Sequence, residues 1–156
     1  MDRRCMIQSS ATLLVGSSWL TPTGVKAEET WVESYGTDPN HPIVVIGAGG
    51  KVGKLCTSIL SSSKLQRYTR AVTRTGRAIL SPSSTLVTYT SGDVTQYDSI
   101  QNAIQGASGV IFAASASGKK KGGDPAHVDY LGLYNTAKAC LECGVPKLVG
   151  VFFFNC

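Results

Sequence analysis

The stretch Ile43–Gly53, I-V-V-I-G-A-G-G-K-V-G, constrains the rest of the chain more than any other. Four β-branched apolar residues run straight into a glycine cluster. Val52, Leu55, Cys56, Ile59 and Leu60 then recur at helical spacing. The pattern is strand, tight turn, helix. The spacing that fits is G-x-x-G-x-x-G, carried by Gly47, Gly50 and Gly53; the alternative G-x-G-x-x-G would need glycine at 52, where Val52 stands. Gly47 allows a backbone turn that a side chain would forbid. Gly50, with no Cβ, lets a pyrophosphate approach the main chain, and Gly53 lets the helix pack closely on the strand. The free N–H groups and positive end of the helix then face the phosphates. A purely structural strand–helix turn has the same outline, so the weight falls on what the chain places beside it.

Tyr68–Arg74, Y-T-R-A-V-T-R, reads as a second strand that ends about 20 residues past the glycine turn, where a dinucleotide-binding unit keeps its ribose-reading group. Asp or Glu there would hold the 2′-hydroxyl of NAD. This chain has Arg74, with Arg77 close by. A guanidinium fork matches a 2′-phosphate, which favours NADP over NAD. The competing reading is a solvated loop arginine.

Leu86–Thr90 reads as a third strand, leading into Ser91-Gly92-Asp93-Val94. Asp98, Ile100, Ala103, Ile104 and Gly106 mark an amphipathic helix with a glycine stop. Val110–Ala114 is a buried-type fourth strand that ends in small residues. Lys119-Lys120-Lys121-Gly122-Gly123 reads as a basic loop at the same edge of the sheet. A helix is expected from Asp124-Pro125 to about Cys143, stopped by Gly144, and Pro146–Phe154 reads as a fifth strand. The alternation predicts an α/β fold: a doubly wound, Rossmann-like parallel sheet of five strands in the order 3-2-1-4-5, with helices on both faces. Gly47–Gly53, Arg74, Asp93 and Ala113–Ser115 then fall at strand C-terminal ends, around the crevice where the strand order switches.

At 156 residues the chain is one domain long, and 42% apolar content excludes global disorder. A net charge of +5 without an aromatic-interleaved basic stripe gives no indication of nucleic acid. Residues 1–27 differ from the rest: Arg3-Arg4, a modest apolar stretch Ala11–Leu20, then Val25-Lys26-Ala27 before Glu28-Glu29. The apolar run is too short and too interrupted by Ser and Gly to span a bilayer. The segment resembles a twin-arginine or thylakoid-lumen signal, or an organelle presequence, which points to a plastid or another compartment reached by an N-terminal signal. A plain N-terminal extension is the alternative. Residues 28–42, polar and holding Pro39 and Pro42, read as a linker on which Trp31 and Tyr35 can dock; the dinucleotide-binding domain is expected over 43–156.

Taken with G-D-V at 92–94, V-I-F-A-A-S at 110–115 and V-D-Y-L-G-L-Y-N-T-A-K-A-C-L-E-C-G-V-P-K-L-V at 128–149, the turn G-A-G-G-K-V-G resembles the G-A-T-G-x-x-G of the atypical short-chain dehydrogenase/reductases, the NAD(P)-binding, NmrA-like group. The resemblance covers about Ile43 to Val151. It implies that Gly47, Gly50 and Val52 surround the pyrophosphate, with Gly49, Lys51 and Gly53 of the same turn also counted in the cofactor site. It further implies that Arg74 reads the 2′-phosphate, that Asp93 and Val94 edge the adenine, and that Ala113, Ala114 and Ser115 line the ribose. The family usually has Thr where Gly49 stands, and its fifth strand often ends in a serine pair where this chain has Phe152, Phe153 and Phe154. Full members continue into a catalytic Tyr/Lys region and a substrate-binding part, so the chain reads as a cofactor half, truncated after the fifth strand.

Two motifs compete for a chemical role. Tyr134 and Lys138 fit Y-x-x-x-K and share a helix face, but they precede the fifth strand where the family's pair follows it, so no catalytic residue is assigned. Cys140 and Cys143 form a C-x-x-C at a helix C-terminus, with only Cys5, Cys56 and Cys156 elsewhere, so core or surface thiols are expected. His41 and His127 are isolated, and no metal cluster is indicated. The functional expectation is an NADP(H)-preferring oxidoreductase ancestry; a non-catalytic NADP(H)-binding sensor or assembly module is the alternative. The apolar run Val149–Phe154 would be an exposed edge, which predicts a protein partner or self-association.

Overall fold

The computed structural model describes residues 35–80, 84–116 and 124–151. The N-terminal signal-like segment, Trp31, the Lys119–Gly123 loop and Phe152–Phe154 lie outside the described residues. In chain order the elements are β1 (Ile43–Ile46), α1 (Lys51–Leu60), β2 (Thr69–Thr73), β3 (Val87–Ser91), α2 (Tyr97–Ile104), β4 (Gly109–Phe112), a π-helical turn (Ala126–Leu131) running into α3 (Gly132–Glu142), and β5 (Leu148–Gly150). The five strands form one sheet in the order β3-β2-β1-β4-β5, and every pairing is parallel. This is the expected doubly wound Rossmann arrangement. Its switch point lies between β1 and β4, whose residues pair from Ile43 opposite Gly109 to Ile46 opposite Phe112.

Side-chain alternation divides the core into two layers. Val44, Ile46, Val72, Val110 and Phe112 pack with Ile100, Ala103 and Ile104 of α2 and Ala139 and Cys140 of α3. On the other face Val45 and Ala71 meet Cys56 and Leu60 of α1. Each fully buried Val, Ile or Phe contributes roughly 1.5–3 kcal/mol, so the α2/α3 face carries most of the apolar stabilisation. Arg70 fastens that layer: its Nη1 donates to the carbonyls of Ala103 (3.0 Å) and Gln105 (2.8 Å) at the end of α2. A cation there satisfies carbonyls that no helical N–H reaches.

Three expectations meet a different local structure. Leu55 and Ile59 were expected on the buried stripe of α1, yet they are 60% and 50% exposed. The residues turned inward are Gly53 and Thr57, with Cys56 and Leu60 beside them. The helix approaches the turn so closely that only small side chains fit beneath its start. The helix expected from Asp124 begins at Ala126 with a π-helical turn, and its first regular α residue is Gly132. A Cβ on Gly132 would stand 2.8 Å from Val94 Cγ2, so the extra backbone residue of the π turn sits where α3 docks onto the β3 exit. The fifth strand starts at Leu148 rather than at Pro146 and is described to Gly150; the end of the expected run lies outside the described residues.

Residues 35–42 are docked onto the base of the sheet. Tyr68 N–H donates to the Gly36 carbonyl (2.7 Å) and Ser108 N–H to the Pro42 carbonyl (3.0 Å), while Gly36 N–H donates to Ser108 Oγ (3.0 Å). The Tyr35 ring lies over Gly109, 3.5 Å from where a Cβ would stand.

Candidate functional site

The glycine turn is fixed by main-chain contacts on both sides. Gly47 and Ala48 N–H both donate to the Val72 carbonyl at 3.1 Å, and Ala113 N–H donates to the Ile46 carbonyl at 2.9 Å. Gly47 has φ +78°, and a Cβ there would lie 2.5 Å from the Ala114 nitrogen. A side chain is therefore excluded twice, by torsion and by space. Gly53 packs still more tightly: its Cβ would fall 2.2 Å from the Gly47 carbonyl oxygen. Gly50 is the N-cap of α1 with φ −74° and no side-chain cap, and the first turn of the helix carries no acidic residue. The opening N–H groups of α1 and its positive end are thus left for an anion.

This turn forms one wall of a cleft of about 570 Å³ at the C-terminal ends of the strands. Gly47, Gly49 and Gly50 line it on one side, Thr73, Arg74 and Arg77 on another, Gly92, Asp93, Val94 and Thr95 on a third, and Ala113, Ala114 and Ser115 close it at the β4 exit. The expected site residues from four separate stretches therefore do converge. Lys51, Val52 and Gly53 stand behind the lining: Lys51 is exposed, Val52 half-buried and Gly53 buried beneath the turn.

The wall after β3 is organised by Asp93. Its Oδ1 accepts from Thr95 N–H (2.9 Å) and from the Thr95 hydroxyl (2.8 Å), while its own N–H donates to Ser99 Oγ (3.0 Å). α3 supports this wall from behind, because the buried Asn135 donates through Nδ2 to the Val94 carbonyl at 3.0 Å. Asp129 reaches the opposite rim, accepting from Ala116 N–H at 3.0 Å.

Sequence reasoning missed Thr73, Thr75, Ile79, Gly92, Thr95 and Val128, all of which line the cleft. Gly92 and Thr95 flank the Asp93-Val94 pair and were within reach of a reading of that turn. Val128 comes from the π-helical turn, which no local pattern announces. Thr73 carries a further feature: among the described residues, its Oγ1 is the buried side-chain polar atom with no hydrogen-bond partner.

The competing motifs lie away from the cleft. Tyr134 is 59% exposed. Lys138 Nζ stands 4.6 Å over the Tyr97 ring and 3.9 Å from Glu142 Oε1. Cys140 is buried among the α2/α3 core, and that burial, reinforced by the neighbouring Cys143, pushes its thiol pKa up to about 11. Cys140 is thus held in its inert protonated form. His41 and His127 each pair with an aspartate three residues earlier, Asp38 and Asp124.

The residues present fit a dinucleotide. The glycine cradle has no Cβ where phosphate would lie, the helix end is uncapped, guanidinium groups stand at the β2 exit, and the volume suits a small-molecule site. Fold and site together define a Rossmann-type dinucleotide-binding domain. The sequence profile of the NAD(P)H-binding family matches residues 47–156, and the chain belongs to that family. Its cofactor is NAD(P). No curated protein sequence matches the chain. Among solved structures it is similar to a uronate dehydrogenase from Agrobacterium tumefaciens complexed with NAD, at TM-score 0.58 and 20% identity over 71% of this chain and 40% of that one. A Rossmann-fold NAD(P)-binding family protein from Shigella flexneri matches at TM-score 0.56 and 19% identity over 69% and 49%. A short-chain dehydrogenase/reductase from Veillonella parvula in complex with NADP matches at TM-score 0.53 and 16% identity over 70% and 46%. The chain thus spans less than half the length of these proteins. Among the described residues no helix is long and apolar enough to cross a membrane.

Proposed function

We propose that this chain is the cofactor-holding part of an NADPH-preferring oxidoreductase of the atypical, NmrA-like short-chain type. The observation that carries the preference is the pair Arg74 and Arg77 at the β2 exit, both exposed and both lining the cleft where an NAD-selective unit would place a carboxylate. The assignment that follows puts the pyrophosphate on Gly47, Gly49, Gly50 and the first N–H groups of α1, over Lys51, Val52 and Gly53. It puts the 2′-phosphate on Arg74, the adenine against Asp93 and Val94, and the second ribose along Ala113, Ala114 and Ser115. The nicotinamide supplies the hydride; the chain binds and orients it.

Titration of the protein with NADPH and NADH, followed by cofactor fluorescence, tests this reading. The expected result is tighter binding of NADPH, with Arg74→Ala weakening NADPH by about 10- to 100-fold, the value of a charge-assisted hydrogen-bonded pair, and leaving NADH nearly unchanged. Equal loss for both cofactors would refute the phosphate-reading role of Arg74.

Two further parts of the reading rest on sequence. Residues 1–27 act as a signal to a plastid, a thylakoid or another compartment, with 28–42, whose end is docked on the sheet, leading into the domain over 43–156. The edge at β5, where Val149 is 48% exposed, pairs with another protein or a second copy.

A further inference from the structure

The stretch that follows β2 is tied down by a side chain from outside the cleft. Residues 74–80 belong to no helix or strand, yet Arg74, Thr75, Arg77 and Ile79 all line the cleft. At its near end Gly76, with φ +66°, donates its N–H to the Thr73 carbonyl at 3.3 Å. A Cβ on Gly76 would stand 3.2 Å from the Ser91 nitrogen. At its far end Ile79 packs on the layer of Val45, Ala48 and Ala71, as do Val87 and Tyr89 of β3. There Leu80 N–H donates to the Tyr89 hydroxyl oxygen at 3.2 Å. Tyr89 is itself fixed by the sheet, opposite Ala71, which in turn stands opposite Val45. A tyrosine so placed seats an apolar ring on the sheet face and ends it in one polar atom. It does not line the cleft. Arg77 lies between the two ends, one residue past Gly76 and two before Ile79.

Resting on the cofactor reading above, we propose that Tyr89 is a positioning residue for cofactor choice: its hydroxyl, through Leu80 N–H, holds the 74–80 stretch on the course that brings Arg77 to the cleft. Arginine has much rotamer freedom, and a loose backbone beneath it adds to what binding must order. A backbone fixed beforehand removes that part of the cost. The gain falls to NADP(H) alone, because NAD(H) carries no 2′-phosphate for Arg77 to hold. The parts common to both cofactors do not depend on this tether. The glycine turn is fixed by its own main-chain contacts, and Ile79 is seated by its own apolar packing.

The test titrates the parent chain, Tyr89→Phe, Arg77→Ala and the double variant with NADPH and NADH, followed by cofactor fluorescence. Phenylalanine keeps the ring and removes the acceptor. Tyr89→Phe is expected to weaken NADPH about three- to tenfold, the worth of one net hydrogen bond, and to bind NADH as the parent does. In the Arg77→Ala background the same change should cost nothing further, because residues that act through one another are not additive. Equal loss of both cofactors, or loss of neither, would make the tether purely structural and overturn the inference. So would an undiminished loss of NADPH in the Arg77→Ala background. Amide hydrogen exchange on the ligand-free parent needs no variant. Leu80 N–H should exchange more slowly than the N–H groups of Arg77 and Ala78, and equal rates would remove the tether on which the inference stands. A folded parent that binds neither cofactor, or binds NADPH no tighter than NADH, would refute the cofactor reading, and the inference with it. A parent that prefers NADPH, and loses the preference in Arg77→Ala but not in Tyr89→Phe, would overturn the inference alone.

Discussion

Two of the walls of the cleft, the glycine turn and the stretch after β3, are built in opposite ways. The glycine wall is main chain throughout. Gly47 and Gly53 press against backbone atoms at 2.5 and 2.2 Å from a notional Cβ, and nothing flexible stands behind them. The wall after β3 is made of side chains, and its support is a second layer: Gly132 and Asn135 of α3 hold Val94 in place. On the proposed assignment the backbone wall takes the pyrophosphate and the side-chain wall takes the adenine. The difference predicts that substitutions behind the first wall act on folding, and those behind the second act on binding.

The sharpest way to break this comparison is within the glycine turn itself. Gly53→Ala improves helix propensity by roughly 1 kcal/mol, yet forces a Cβ onto a carbonyl oxygen that cannot withdraw. We expect a net loss of about 2 kcal/mol, the upper range for overpacking of about 3 kcal/mol less the propensity gained, and a melting temperature lower by roughly 8 °C. Gly49→Ala is the control. Gly49 is exposed, and the nearest atom to its Cβ is Thr73 Cγ2 at 3.9 Å, so stability should change by no more than about 0.5 kcal/mol. Equal effects at the two positions, read by thermal melting, would show that the turn is not held by sterics.

Those two glycines also show how much was legible in the sequence. Spacing alone set Gly47, Gly50 and Gly53 apart from Gly49, because each role at a strand–helix turn has a fixed position. The sheet order was legible for a similar reason: parallel strands buried on both faces read as continuous β-branched runs such as Ile43–Ile46, and right-handed crossovers leave few arrangements. What stayed hidden depended on contacts between distant residues. The inward face of α1 is set by how close Gly53 comes to Gly47, so Leu55 and Ile59 turn outward against their pattern. The π-helical turn before Gly132 is set by Val94, far away in sequence. The stranded hydroxyl of Thr73 is a matter of rotamer, and no spacing encodes a rotamer.

The second wall should answer differently. Gly132 is helical, with φ −62°, so alanine there brings no backbone strain and gains roughly 1 kcal/mol of propensity. Its Cβ would meet Val94 Cγ2 at 2.8 Å and Val94 Cβ at 2.9 Å, so the whole valine must shift toward the cleft. We expect Gly132→Ala to lower the melting temperature by no more than about 5 °C, the propensity gain offsetting part of the cost. NADPH affinity should fall by roughly three- to tenfold, since Val94 then intrudes where adenine is placed. A large drop in stability with unchanged affinity would show that this wall, too, is part of the fold's frame.

The smallest effect belongs to the outer seam between α2 and α3, which lies behind the second wall but does not touch it. There the Tyr97 hydroxyl donates to Glu142 Oε2, and Gln101 Nε2 donates to the same oxygen at 3.3 Å. The bond to Glu142 is the main cause that raises the phenol's pKa from 10.0 to about 12. A folded-state pKa above the unfolded one stabilises the fold fully below the unfolded value, and that contribution is lost as pH rises from about 10 toward 12. The seam is exposed, so the effect on stability is small; the titration itself is the readable signal. Ultraviolet absorbance of the phenolate, taken as the difference between the parent and Tyr97→Phe, should show one group ionising near pH 12. Glu142→Gln should bring that group back toward the ordinary tyrosine range of about 10, with NADPH affinity unchanged. An altered affinity would mean that the seam sets the angle at which α3 holds Val94, and the side-chain wall would then extend through the whole α2/α3 layer.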